Sequence, residues 1–342
     1  MSNVKLLDCT LRDGGYINNW DFTPEQISSV ISNLTKAGID YIEIGYLTSI
    51  FNAVNGSQFQ TIESASCFLP EDRKQSKFLI MVDVSQFDME TLFCRTADTL
   101  DGIRVVFYKR QIEQAYIACE KIVEMGYDLF LQPMVTIDYS LQEFEELIRR
   151  FYERYHPYTI SIVDSFGCMV KSELLEFIEV LEKIISKDIK IGFHGHDNMQ
   201  LAQINALSLF DYENGHEFII DASVNGIGRG AGNLYTELIA HYCNIRHKGQ
   251  YNLDCILQVV SEVTEPISRT NKWGYSPYFM LTALRRAHPN FATYLLANHD
   301  LSVSDFAEYL RYIPANMLTK CTKPYVEKRY LQFIGKEKTT AD

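Results

Sequence analysis

The sequence predicts an α/β protein built as a (β/α)8 TIM barrel with a helical C-terminal extension, and three observations carry that expectation. Eight short β-branched or apolar runs recur along the first part of the chain. Helical patterns with apolar residues three and four apart fill the gaps between them. Beyond about residue 250 helical spacing continues without strands. A doubly wound open sheet is the competitor. It fits worse, because its first strand–helix turn normally carries a glycine fingerprint and here that turn carries charges.

The first sixty residues set the repeat. Val4-Lys5-Leu6-Leu7-Asp8 is an apolar run suited to a buried strand, and a polar, glycine-bearing loop follows it. Thr23-Pro24-Glu25-Gln26 supplies a helix start, with Thr23 as N-cap, Pro24 at the first helical position and Gln26 completing a capping box. Ile27, Val30, Ile31 and Leu34 give that helix one apolar face, Gly38 ends it, and Tyr41-Ile42-Glu43-Ile44-Gly45 reads as the second strand. Strands three to eight are expected at 78–82, 103–107, 129–134, 159–163, 189–194 and 218–222. The helical pattern between them is clearest over 172–185. The repeat places a catalytic barrel domain at 1–245 and the extension at 246–342. In the extension 278–287, 291–296 and 303–310 have helical spacing, and 335–342 reads as a frayed tail. No low-complexity linker intervenes, so the extension is expected to pack directly on the barrel.

Composition narrows the function classes. The chain has 342 residues, 46% hydrophobic and 22% charged, enough for one large domain with an appendage or for two mid-sized domains. Lys+Arg 32 against Asp+Glu 44 leave a net charge of −12, and no long basic run offers a footing to nucleic acid or an anionic membrane. No apolar stretch approaches the ~20 residues that cross a bilayer, and residues 1–15 lack a secretory pattern, so a cytoplasmic protein is expected. Cys9, Cys67, Cys94, Cys119, Cys168, Cys243, Cys255 and Cys321 are scattered without a C-x-x-C pair, as reduced packing residues would be. The sequons at Asn33 and Asn55 then carry no weight.

In a barrel, function collects at the C-terminal ends of the strands. Gly192-Phe193-His194-Gly195-His196-Asp197-Asn198 closes the seventh strand. Residues two apart on an extended segment share a side, so His194 and His196 can aim at one metal ion; solvated turn histidines are the alternative. Asp8-Cys9-Thr10-Leu11-Arg12-Asp13-Gly14-Gly15-Tyr16 leaves the first strand. There Asp13 can add a hard oxygen ligand and Arg12 can neutralise an oxyanion, or the two form a salt-bridged loop, while Asp8 is suited to bonding loop amides. Glu43 sits in an otherwise apolar strand, where a charge is costly unless paired, and Arg12 on the neighbouring strand is its expected partner. Asn225-Gly226-Ile227-Gly228-Arg229-Gly230-Ala231-Gly232-Asn233 follows the eighth strand. Gly228 and Gly230 allow close backbone approach to a ligand, and Asn233 can add a neutral oxygen to the metal. Asp164-Ser165-Phe166-Gly167 closes the sixth strand as a substrate-contacting or helix-initiating turn.

Taken together and in order, these motifs resemble the DRE-TIM metallolyase superfamily. It includes 3-hydroxy-3-methylglutaryl-CoA (HMG-CoA) lyase, 2-isopropylmalate and homocitrate synthases and 4-hydroxy-2-oxovalerate aldolase. The resemblance spans about residues 4–245. It implies a divalent metal at the barrel mouth and chemistry that makes or breaks a carbon–carbon bond through an enolate. Carried over, it makes Asp13, His194, His196 and Asn233 metal ligands, Arg12 the holder of the enolate oxygen, and Glu43 the third member of the arginine–aspartate–glutamate cluster. Asp164 and Ser165 match the family's D-[ST]-x-G turn. The first loop departs from the synthases' L-R-D-G-E-Q, and Tyr16 stands where the aldolases carry a histidine; a tyrosine, with an ordinary pKa near ~10, is a poorer base at pH 7. Tyr275 and Tyr278 lie where the aldolases' extension contributes aromatic residues.

The reading that follows is a divalent-metal-dependent aldolase with catalytic Arg12, Glu43 and Tyr16. It forms or cleaves a 4-hydroxy-2-oxo acid from a 2-oxo acid such as pyruvate and an aldehyde. Mn²⁺ or Mg²⁺ suits the mixed oxygen and imidazole set, with Co²⁺ and Zn²⁺ as further candidates. An acyl-CoA-dependent Claisen condensation is the alternative. A homo-oligomer is expected. The extension is left with three roles: dimerisation, hand-over of an aldehyde to a dehydrogenase partner, or closure of the barrel.

Overall fold

Two pairings close the sheet. In the computed structural model, which describes residues 3–49, 56–213, 215–247 and 250–340, strand β1 (Asn3–Asp8) pairs in parallel with β2 (Tyr41–Leu47) on one side. On its other side it pairs with β8 (Glu217–Ala222). Strands β3 (Lys77–Asp83), β4 (Gly102–Phe107), β5 (Asp128–Pro133), β6 (Thr159–Asp164) and β7 (Lys190–Gly195) complete the ring, every neighbour parallel. The eight-stranded barrel is therefore the architecture. A further two-residue strand, Gln58–Phe59, pairs beside β2, which no sequence pattern signalled. It docks where Gly45 takes φ +152; a Cβ there would lie 2.0 Å from the Ser57 carbonyl oxygen.

The helix after β1 forms as its residues dictate. Pro24–Ala37 begins at a capping box, with Gln26 N–H donating to Thr23 Oγ1 (3.2 Å) and Thr23 N–H to Gln26 Oε1 (2.9 Å), and ends at Gly38 with φ +82. Ile27, Val30, Ile31 and Leu34 are all buried against the sheet. Two expectations need adjustment. The polar loop after β1 is wound into the helical turns Thr10–Asp13 and Gly15–Asn18, and between β3 and β4 only the one-turn 3₁₀ helix Met89–Thr91 stands in for a helix. The second follows from Thr96-Ala97-Asp98-Thr99, whose short polar side chains bond their own backbone, as Thr99 Oγ1 does with Thr96.

Strand alternation sorts the interior by height. Leu7, Tyr41, Leu79, Phe130 and Ile219 fill the lower barrel, Glu43, Arg104 and Asp221 lie buried above them, and Tyr46, Met81 and Val106 reach the mouth. The outer faces of the strands join the helices in the main core.

The C-terminal region is helical, as expected. Ile256, Val259, Val263 and Ile267 pack into the barrel's own core. Helices Pro277–Leu284, Asn290–Asn298, Val303–Tyr312 and Lys323–Thr340 surround a second core of Phe291, Leu295, Phe306, Tyr309, Leu310 and Val326. The expected frayed tail is helical in its backbone as far as Thr340, because Phe333 anchors that helix in the second core. This region sits on the mouth. Ala283 packs with Val135, Phe166 and Cys168, Trp273 Nε1–H donates to Asn225 O (2.9 Å), and Asn271 Nδ2–H to Ile17 O (2.9 Å). All eight cysteines are free, and no described helix is long and apolar enough to cross a membrane. Asn55 lies outside the described residues.

Candidate metal centre and active site

The loop after β1 is fixed from below. Asp8, at the strand end, accepts from Thr10 N–H (2.9 Å) and Thr236 Oγ1–H (2.6 Å), and burial pushes its pKa up to about 6. It is a structural carboxylate that holds the turn Thr10–Asp13 over the barrel, and that turn aims Arg12 and Asp13 inward.

Across the mouth, β7 and the residues after it present both imidazoles. Asp13, His194 and His196 offer ligand atoms that all lie within 4.8 Å of one another, each residue buried. His194 Nε2 is 3.8 Å and His196 Nε2 4.0 Å from the same Asp13 Oδ2. Those separations are too long for hydrogen bonds. They are within reach of two donors sharing one ion at bond lengths of about 2.1 Å. The far nitrogens are already engaged, His194 Nδ1 with Asp221 Oδ2 (3.0 Å) and His196 Nδ1 with Gly232 O (3.3 Å). Acceptors on Nδ1 fix its proton there and leave each Nε2 lone pair facing Asp13. Burial, with the positive charge of Arg229 and Arg12 nearby, lowers His196 to about 3, so it is neutral and a ligand in waiting. Burial opposes ionisation of Asp13, yet the charge of Arg12, with Arg229 beyond it, outweighs burial and holds its pKa well below the usual carboxylate range.

Asn233 arrives by backbone pairing. His196 and Asn233 form an antiparallel bridge, which brings the asparagine amide against the site. Its Nδ2–H donates to Asp13 Oδ2 (2.5 Å), while its Oδ1 is buried without a donor. A buried carbonyl oxygen without a donor, beside a carboxylate and two imidazoles whose Nδ1 atoms are already engaged, suits a cation. The residues present fit a divalent metal.

Behind this group runs a buried chain of charges. Arg12 Nη1 lies 3.0 Å from Asp13 Oδ1 and Arg12 Nε donates to Glu43 Oε2 (2.8 Å), the partnership expected of Glu43. The same Glu43 Oε2 accepts from Arg104 Nη1 (2.9 Å), and Arg104 Nη2 reaches Asp221 Oδ2, which orients His194. The chain thus returns to the metal centre from the other side. Sequence reasoning missed Arg104 and Asp221. The argument applied to Glu43, a charge inside an apolar strand, applies equally to Arg104 within Gly102–Phe107 and Asp221 within Glu217–Ala222.

The cavity above opens to solvent and spans about 580 Å³ with that open space counted in. Arg12, Tyr16, Ser165, His194 and His196 line it, together with Tyr46, Tyr108, Gln132 and Arg229, which carried no expected role. Tyr16 is 44% exposed at its rim, packed edge-on against Trp20 (5.2 Å), with its hydroxyl end buried enough to push the pKa up. Asp164 does not line the cavity. Its carboxylate accepts from Cys168 N–H (3.0 Å) and Met169 N–H (2.9 Å), shaping the turn that presents Ser165. Gly228 and Gly230 make room for protein rather than opening onto the cavity: a Cβ on Gly228 would lie 2.3 Å from Asn233 Nδ2, and one on Gly230 2.6 Å from Asn198 Oδ1. Tyr275 is 63% exposed, Tyr278 donates to Leu301 O (2.6 Å) beside the second core, and neither lines the cavity.

A parallel barrel with Asp-His-His and an arginine at its mouth defines a class, the metal-dependent carbon–carbon lyases. Comparison with known proteins agrees. The HMGL-like family model matches residues 3–263, and the chain belongs to that family and is an enzyme of its lyase and aldolase class. It is 30% identical over 251 residues to a 4-hydroxy-2-oxovalerate aldolase of Desulfitobacterium hafniense, covering 70% of this chain and 71% of that protein. It is 26% identical over 274 residues to an oxaloacetate decarboxylase of Mycobacterium tuberculosis, covering 80% and 77%. The HMG-CoA lyase structure from Brucella melitensis shares the fold, with a TM-score of 0.64 at 15% identity over 78% of this chain and 100% of that one.

Proposed function

We propose that this protein cleaves, and in reverse forms, a 4-hydroxy-2-oxo acid, releasing pyruvate and an aldehyde. The observation that carries the reading is Arg12. It is ion-paired through Nε and Nη1 to Glu43 and Asp13, and its Nη2 has no partner among the described residues while the side chain lines the cavity beside the two histidines.

Asp13, His194, His196 and Asn233 would hold the metal, Mn²⁺ or Mg²⁺ by donor chemistry, and when bound it supplies a Lewis acid for the 2-oxo group. Arg12 orients its free N–H toward the oxygen on which charge develops as the C3–C4 bond breaks, and that interaction is stronger in the transition state than in the ground state. Glu43 keeps the guanidinium in place. Cleavage sends the C3–C4 pair into the enolate of pyruvate, the 4-hydroxyl proton goes to solvent in the open cavity, and the aldehyde leaves. Tyr16, held protonated by its raised pKa, is suited to giving a proton to the enolate carbon and not to acting as the base. Ser165 contacts the substrate, and Gly228 and Gly230 bear on it through Asn233 and the loop they shape. Similarity to an oxaloacetate decarboxylase supports a second use of the same site, since decarboxylation of a 2-oxo diacid also ends in the pyruvate enolate.

Mn²⁺-loaded protein mixed with 4-hydroxy-2-oxopentanoate is expected to release pyruvate, measured with lactate dehydrogenase and NADH. Release of free thiol from acetyl-CoA and a 2-oxo acid, with no aldol cleavage, would instead select the Claisen reaction.

A further inference from the structure

The buried cations of this barrel are matched by carboxylates, and one cation at its mouth is not. Arg12 faces Asp13 and Glu43, and Arg104 faces Glu43 and Asp221. Arg229 lines the same cavity, half-buried, and among the described residues its guanidinium makes no ion pair and no hydrogen bond. Its Nε is buried without an acceptor. Its one contact of note is the Tyr16 ring, 5.4 Å from the guanidinium carbon.

The loop that carries this side chain is anchored on both sides of it. Gly228 packs on Asn233, and Gly230, with φ +71, packs on Asn198, whose Oδ1 accepts from Ala231 N–H (2.7 Å) and whose Nδ2–H donates to Phe166 O (2.9 Å). An arginine on an anchored loop, facing a cavity and with no carboxylate in ion-pair range among the described residues, is a site open to an anion. Its planar fork matches a carboxylate. The opposite wall is of another kind: Tyr46, Tyr108 and Asp83, the last already accepting from Ser85 and Gln86.

We propose that Arg229 anchors a second carboxylate of the substrate, remote from the 2-oxo acid end, so that the preferred substrate is a 4-hydroxy-2-oxo diacid and its aldehyde partner an aldehyde-acid. The proposal rests on the lyase reading above for the position of the 2-oxo end. It deepens that reading by naming the substrate class.

Two unreactive ligands isolate the anchor. 2-Oxoglutarate and 2-oxopentanoate share the 2-oxo acid end and differ in a terminal carboxylate against a methyl. Calorimetric titration of the Mn²⁺-loaded protein is expected to show the diacid binding at least ~10-fold more tightly, as a charge-assisted pair predicts. Arg229→Ala and Arg229→Gln, the second keeping the stem on Tyr16, should close that gap to within about threefold, and Arg229→Lys should restore part of it. No gap in the wild type, a gap that survives both variants, or an equal loss for both ligands would overturn the anchor; equal loss would place Arg229 on the shared carboxylate. Cleavage is scored separately with 4-hydroxy-2-oxoglutarate and 4-hydroxy-2-oxopentanoate. If neither yields pyruvate while the binding gap behaves as stated, the anchor stands and the lyase reading fails.

Discussion

The two ends of the barrel use polar groups in opposite ways. At the lower end Tyr41 Oη and Tyr158 Oη are 2.9 Å apart, and Lys77 and Lys190 sit over the Tyr158 ring at 4.2 and 3.9 Å. Lys77 also pairs with Asp128 at 2.7 Å, both partly exposed. Water can relieve each of these charges. At the mouth, Asp13, Arg12, Glu43, Arg104, Asp221 and His194 are buried and linked end to end, and atoms such as Glu43 Oε1 and Asn233 Oδ1 still lack partners. The lower end is a seal. The mouth carries desolvated charge that the fold alone does not satisfy, which is how a site prepared for a cation and an anionic substrate differs from one that only closes a barrel.

The comparison can be broken most directly at the metal centre. His194→Ala or His196→Ala is expected to abolish Mn²⁺ binding and lower cleavage by at least ~1000-fold, since metal and orientation fail together. Retained metal with lost activity would move the ion elsewhere. Arg12→Ala should lower kcat by about 10²–10³ with metal affinity within a few-fold, separable by calorimetry and steady-state kinetics.

These first effects fall on residues that were legible in the sequence, and the reason is spacing. H-x-H at a strand end and Arg12-Asp13 after the first strand are local patterns, and so is the capping box at Thr23. Arg104 and Asp221 were not found, although each is a lone charge in an apolar strand like Glu43. What joins them is the ring closure of β1 on β8, a contact between residues more than two hundred apart in the chain. The glycines after β8 were legible as a tight loop but not in their purpose. Which atom a missing Cβ would strike depends on Asn198 and Asn233, brought there by tertiary packing. Tyr275 and Tyr278 drew attention by position along the chain, and packing against the second core decided otherwise for Tyr278.

The missed pair gives the sharpest stability test of the comparison. Arg104→Met leaves Glu43 and Asp221 buried beside an uncharged neighbour and is expected to cost about 3–5 kcal/mol in urea unfolding. Lys77→Met at the lower end should cost within about 1 kcal/mol, because the pair is partly exposed and screened by water. Equal costs would mean that the two ends do not differ as described.

Acid pH adds a smaller, graded effect. His196, and His288 where the extension meets Phe166, both have pKa values lowered by burial to about 3 from 6.5. Between those values the unfolded chain binds protons that the folded one refuses. In the metal-free protein the two histidines therefore contribute stability that is full above pH 6.5 and lost as pH falls, by about 2 kcal/mol each at pH 5, while Asp8 and Asp164, raised by burial to about 6, gain stability over the same range. The test is therefore a difference: relative to His288→Asn, the wild type should lose melting temperature between pH 7.5 and 5. A difference between the two proteins that does not change with pH would mean that His288 is not buried as described.

One titration bears on the centre of the account. Metal-free protein titrated with Mn²⁺ should bind one equivalent, and pyruvate release from a 4-hydroxy-2-oxo acid should rise in step with occupancy and reach its plateau at one. Full cleavage by chelator-treated protein, or one-equivalent binding that survives replacement of both His194 and His196, would contradict it.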